Sequence, residues 1–126
     1  MIDRILIVGF GSIGKRHLKC CREIFPKANI KIFRHTRSDD VPELSNGCLF
    51  NYDDVINFKP HFAIYTNISP DHLDRHSNME EYVSMKLRMV KNFDSSDSVI
   101  YNSDDPILSS QFKNKTFNKI PFNLEN

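Results

Sequence analysis

Cysteine is scarce in this chain, and the little there is forms no pattern. Of 126 residues, three are cysteines. Cys20 and Cys21 are adjacent, which leaves no ready bridge between them, and no C-x-x-C or mixed Cys/His zinc spacing includes Cys48. The expectation is free thiols in a reducing compartment. A surplus of one charge is also lacking: 17 Lys and Arg stand against 16 Asp and Glu, for a net charge of +1. Nucleic acid and anionic membrane surfaces are therefore not indicated as partners, since both usually call for a basic excess. Long apolar runs are missing too. The run at residues 5–8 is broken by Gly9, far short of a signal-peptide core or a spanning helix. No internal repeat or low-complexity tract is present. The expected location is cytoplasmic.

What is there reads as one soluble globular domain over residues 1–126, 40% hydrophobic and 26% charged. Residues 4–9 (RILIVG) form an apolar run ending in glycine, which suits a strand buried on both faces. Helical spacing follows over 12–25, closed by Pro26. Residues 29–34 alternate and are β-branched, which predicts a second strand. The stretch 36–47 is polar and reads as a loop. A short strand is expected at 48–50, a helix at 52–58 capped by Asn51 or Asp53, and a buried strand at 61–67. Beyond a polar loop, a helix is expected over 79–92, a strand over 98–102 and an edge strand over 116–122. Strands alternating with helices imply a three-layer, doubly wound α/β parallel sheet of Rossmann-like kind. Strands 61–67 and 98–102 should lie side by side or nearly so.

Gly9-Phe10-Gly11-Ser12-Ile13-Gly14 fits G-x-G-x-x-G between a buried strand and a helix. In that setting Gly9 makes the tight turn and Gly11 lets backbone approach a pyrophosphate. Gly14 lets helix pack close to strand, and the helix N–H groups face the anion. The second strand should end at the ribose, where an NAD site usually carries an acidic residue. The positions there are Arg34, His35, Thr36, Arg37 and Ser38, with no carboxylate. Guanidinium groups and hydroxyls suit a 2′-phosphate, so the expected ligand is NADP ahead of NAD.

The string ILIVGFGSIGKRHL, with KPHFAIYTN further on, resembles the glucose–fructose oxidoreductase and inositol dehydrogenase family over about residues 2–67. That resemblance implies an NAD(P)-dependent Rossmann domain, with Asn67 at the end of the strand before the nicotinamide-side loop. Members also need a Glu-Lys-Pro and a larger substrate domain. The nearest counterpart here is Asp104-Asp105-Pro106, which lacks the acid/base lysine.

The second half resembles something else. TNISPDHLDRHSNMEEYVSMKLRMVKNF, SVIYNSDDP and IPF, over about residues 66–122, are similar to the central domain of the Mur ligases, nearest their D-glutamate-adding branch. The resemblance implies that His72 binds magnesium and that Lys86 is carbamylated and shares in the metal. Lys86 also stands out by position, since it interrupts the apolar stripe of Tyr82, Val83 and Val90. Either it snorkels outward or it has a partner or modification inside. Asp71, His72, Asp74 and His76 are alternatively spaced to offer O and N ligands to a divalent ion, or simply to be solvated. No G-x-x-x-x-G-K-[ST] string occurs, so ATP has no phosphate loop here.

The two resemblances meet at residues 63–67, which divides the domain into an oxidoreductase-like half (1–67) and a ligase-like half (68–126). Three readings follow: a dinucleotide-binding module without chemistry of its own, a hybrid with no retained ligand, or a minimal NADP-dependent dehydrogenase using a partner's substrate domain. Apolar Phe112, Phe117, Ile120 and Phe122 in the tail leave self-association open.

Overall fold

A computed structural model describes residues 3–9, 12–34, 40–65 and 84–123. Its elements are β1 (Arg4–Val8), α1 (Ser12–Ile24), β2 (Asn29–Phe33), β3 (Cys48–Leu49), α2 (Tyr52–Phe58), β4 (Phe62–Tyr65), β5 (Ser98–Asn102), α3 (Pro106–Phe112) and β6 (Asn118–Phe122). Between β4 and β5, helical residues 84–87 tighten into a 3-10 turn, Arg88–Val90. The strands form one six-stranded sheet in the order β3-β2-β1-β4-β5-β6. Every pairing is parallel, and the expected neighbours β4 and β5 lie in register from Phe62 opposite Ser98 to Tyr101 opposite Tyr65. The α/β Rossmann-like expectation holds.

A parallel sheet needs both faces covered, because its strands have no polar face to offer water. Successive side chains point to opposite faces, so each strand divides its residues between two cores. Ile5, Ile7, Ile30, Ile32, Phe62 and Ile64 meet Leu18 and Cys21 of α1. On the other face Leu6, Val8, Ala63, Tyr65, Val99 and Tyr101 meet Val55 of α2, Met89 and Val90 of the 3-10 turn, and Leu108 and Phe112 of α3. Among the described residues, one face therefore carries a single helix and the other carries three helical segments. The polar 40–47 stretch between β2 and β3 adds turns but no helix.

Local chemistry sets the boundaries. Asn51, not Asp53, caps α2: its Oδ1 accepts from Asp54 N at 2.8 Å. The tail differs from expectation. Phe112 and Phe117 are buried, and only Ile120 is well exposed, at 44%. Phe112 packs edge-on against Tyr65 and Tyr101 at 5.2 Å each. Among the described residues, no helix is long and apolar enough to cross a membrane.

Two polar contacts hold the frame. Arg22, in the last turn of α1, donates to Leu44 O (2.9 Å), Pro26 O (3.1 Å), Ala28 O (2.8 Å) and Asn46 Oδ1 (2.7 Å). It thereby ties the helix end to the start of β2 and to the turn before β3. In the middle of the sheet, His61 Nε2 lies 2.6 Å from Asp3 Oδ1, joining the starts of β1 and β4. This hydrogen bond is the main reason the Asp3 carboxyl titrates below its ordinary value of 3.8.

Replacing Arg22 by Ala should cost about 2 kcal/mol, since several charge-assisted bonds and their carbonyls lose a partner at once. Urea unfolding measures it, and a loss under about 0.5 kcal/mol would contradict the clamp. Asp3 gives a pH signature. Its carboxyl is depressed in the folded state, so its contribution is fully present above pH 3.8 and fades as pH falls through the lower folded value. Thermal melts of Asp3→Asn should accordingly be less acid-sensitive below pH 3.8 than those of the unmodified chain. Identical acid dependence would remove the pair from the account.

Candidate nucleotide site

The connections leaving β1 and β4 run to opposite sides of the sheet, since β1 is followed by β2 and β4 by β5. Such a switch point opens a crevice at the carboxyl ends of the strands. Gly9 leaves β1 there with φ 97°, in the region only glycine enters without strain, and its N donates to Phe33 O at 3.4 Å. α1 then begins at Ser12, and Gly14 is buried in its first turn. The strand-to-helix turn thus stands as the spacing predicts at Gly9 and Gly14. Phe10 and Gly11 lie outside the described residues, and Ser12 and Ile13 are described in backbone only. Next on α1, His17 packs edge-on against Phe122 at 5.4 Å, with Nε2 buried and lacking a partner among the described residues. Burial, with help from Arg16, holds its pKa below the usual value and keeps the ring neutral.

At the ribose end, Arg34 directly follows β2 and is fixed by its N donating to Leu49 O at 3.0 Å. Its Nη1 donates to Asp40 Oδ2 at 3.2 Å. The sequence suggested an end of β2 without a carboxylate; the chain returns one, six residues further on. Asp40 partly neutralises the guanidinium intended for a 2′-phosphate and repels that phosphate itself. No spacing rule signals a carboxylate brought back by a loop. His35, Thr36 and Arg37 lie outside the described residues, as do Asn67, Asp71, His72, Asp74 and His76.

Lys86 is only 4% exposed, which rules out snorkelling. It sits on the segment that packs over β4, and Tyr65 Oη donates to its carbonyl at 2.5 Å. Burial pushes the Lys86 amine down to about 8 and the Tyr65 phenol up. An amine so placed is still mostly protonated at pH 7, but its uncharged fraction is far larger than an ordinary lysine's and can act as a nucleophile or, once modified, as a ligand. Among the described residues, no group of three or more His, Cys, Asp or Glu could hold a metal ion.

Asp104-Asp105-Pro106 is a structural device. Asp105 Oδ1 accepts from Ile107 N (2.9 Å) and Leu108 N (3.2 Å), and Pro106 opens α3 behind it. Asn102 Oδ1 in turn accepts from Asp104 N at 2.9 Å. The Asp105 carboxyl is occupied in capping a helix.

A six-stranded parallel sheet with a glycine turn at its switch point defines a Rossmann-like α/β domain. Known structures agree on the fold. Prephenate dehydrogenase from A. aeolicus, solved in complex with hydroxyphenyl propionate and NAD+, superposes with a TM-score of 0.61 at 17% identity, over 93% of this chain and 40% of that one. S. aureus TarJ gives 0.57 at 16% identity, over 96% and 37%. The sequence places the chain more narrowly: it belongs to the Mur ligase middle domain family, whose model matches residues 22–126. UDP-N-acetylmuramoylalanine–D-glutamate ligase of Christiangramia forsetii is 40% identical over 88 residues, 68% of this chain and 19% of the ligase. The same enzyme of Geotalea uraniireducens is 40% identical over 70 residues, 56% of this chain and 15% of its own. The chain therefore spans about a fifth or less of the length of these relatives. The family match begins inside α1, so it takes in β2 to β6 and reaches well upstream of residues 63–67, where the sequence led us to expect a join.

The buried Lys86 has a measurable signature. Its amine gives up its proton near pH 8 in the folded chain and near 10.5 in the unfolded one. Between those values the unfolded state holds more protons, so stability should rise with pH, while below about 8 the burial penalty is fully present. In carbon-dioxide-free buffer, Lys86→Met should flatten that rise. Equal slopes in the two proteins would contradict a buried amine.

Proposed function

We propose that the chain is a nucleotide-binding module of the Mur ligase middle-domain type that carries out neither ligation nor hydride transfer within these residues. The observation that carries this reading is Gly9 at φ 97°, turning out of β1 at the switch point into α1, within a chain whose residues 22–126 match the family. Backbone of Gly9, Phe10, Gly11, Ser12, Ile13 and Gly14 would take the pyrophosphate of a dinucleotide, because the motif is G-x-G-x-x-G and no Walker-type lysine is present. The likeness of residues 2–67 to sugar dehydrogenases supports the same ligand. Arg34, His35, Thr36 and Arg37 would line the ribose, with Asn67 on the nicotinamide side. Because Arg34 must leave Asp40 to hold a 2′-phosphate, NAD should bind at least as well as NADP, in place of the NADP preference the basic residues suggest.

The family likeness also implies magnesium held by His72 and a carbamylated Lys86. The buried amine fits that chemistry: its lone pair forms an N–C bond to carbon dioxide and one proton is released, leaving an anionic oxygen donor. Magnesium would supply charge neutralisation for a phosphate.

Chemistry is argued against on two grounds. Proton transfer during hydride transfer needs a donor near the carbonyl, and Asp105 is held in its cap. ATP lacks the loop that would orient its phosphates, and orientation alone is worth about 7–11 kcal/mol of barrier. Sugar oxidation and ATP hydrolysis are therefore expected to be absent.

A thermal-shift series with NAD, NADP, ADP and ATP, with and without magnesium, tests the reading. A ligand at a hundredfold its dissociation constant should add about 2.7 kcal/mol of stability. NAD should stabilise the chain, Gly11→Val should abolish the effect, and Asp40→Asn should turn the order toward NADP. Stabilisation by ATP alone, or by nothing, would overturn the dinucleotide assignment. Turnover that vanishes on changing Asp105 or His72 would overturn the inactivity.

A further inference from the structure

A second cavity, of about 440 Å³, lies apart from the glycine turn. Segments entering β5 and β6 build it, whereas the nucleotide crevice is built where the chain leaves β1. Its floor is apolar, with Phe117 in edge-on contact with Phe112 at 5.4 Å and with Phe93 at 6.2 Å. Its lining carries the cations Arg88, Lys91 and Lys115 and, among the described residues, no carboxylate. For a chain whose net charge is +1, that is a local concentration of one sign. Among the described residues, the acids nearest in sequence are committed elsewhere: Asp94 Oδ1 accepts from Ser96 N (2.9 Å) and Ser96 Oγ (2.6 Å), and Asp97 Oδ2 from Asp94 N (2.8 Å). Arg88 is held at the wall, its guanidinium 4.1 Å above the Tyr52 ring. The backbone that presents Lys115 is braced by Lys119 Nζ donating to Lys115 O at 2.6 Å.

We propose that this cavity binds a small amphipathic anion, a carboxylate carried on an aryl or short acyl body. The volume falls within the range of small-molecule sites, and a few charged groups over an aromatic floor are the composition such sites use for orientation and affinity. The body lies on the half-buried Phe93 and Leu87, with Phe112 and Phe117 buried beneath them, and the carboxylate faces Lys91 and Lys115. A bare anion has no use for the floor, and a neutral body leaves the cations without a partner. Occupancy here is independent of a nucleotide at Gly9.

The test uses the full chain and 4-phenylbutyrate as probe, followed by calorimetry and by amide NMR. Saturable binding is expected, with shifts at residues 84–93 and 112–117. The neutral isostere 4-phenylbutyramide should bind about tenfold more weakly, and inorganic phosphate should produce no such shifts. Lys91→Glu combined with Lys115→Glu alters only exposed positions, and circular dichroism checks that the fold is kept. This variant should lose about tenfold in affinity for the carboxylate and little for the amide. If it fails to fold, Lys115→Gln alone should still weaken the carboxylate selectively. Equal affinity for acid and amide, unchanged binding by the variants, matching shifts from phosphate, or no saturable binding would each overturn the proposal.

Discussion

Burial of β1 and β4 on both faces is the constraint on which the rest of the molecule depends. Ile5, Leu6, Ile7 and Val8 are all but inaccessible, as are Ala63, Ile64 and Tyr65 beside them. Strands so buried can satisfy their backbone groups only through neighbours on both sides, and β2 and β5 supply them. Once both central strands are paired, the connections must leave over opposite faces. The crevice at their carboxyl ends follows from that geometry rather than from any residue in it. Gly9 matters because it lets the chain turn at that one place without strain.

Covering the two faces unequally shapes the rest. α1 alone serves one face among the described residues, and its last turn is held in place by Arg22 reaching carbonyls of the next two segments. The other face carries α2, the 84–90 segment and α3, and this heavier layer draws Lys86 inside together with Met89 and Val90. A lysine there is energetically awkward unless its neutral or modified form is useful. The family match over residues 22–126 includes this segment, so the awkward lysine is part of the ligase-like body. The glycine turn lies in the portion the match leaves out. A glycine turn out of β1 thus opens a chain whose residues 22–126 belong to the ligase middle-domain family.

Electrostatics then separates what resembles a site from what can act as one. Asp105 stands in a string that the sequence set beside an acid/base motif, yet its carboxylate is committed to two N–H groups of α3. Arg34 occupies the position of a phosphate clamp, yet it is paired with Asp40. Each side chain already serves a local structural need, and a ligand would have to compete with that need.

By itself the sequence determined the elements and their type. The apolar run ending at Gly9, the 3.6-residue spacing before Pro26, the β-branched run at 29–34 and a cap at Asn51 or Asp53 are local signals, and local backbone energetics decide them. The strand-to-helix glycine turn and the parallel order were legible for the same reason, because short crossovers leave few other arrangements. Tertiary structure decided what depends on residues distant along the chain. It brought Asp40 back to Arg34, buried Phe112 and Phe117 in a tail that reads as exposed, and closed off the outward route for Lys86. It also gathered Arg88, Lys91 and Lys115 around one aromatic floor. Spacing along a chain records which residues share a helix face or strand face. It does not record which loops return, and charge and burial are settled where they return.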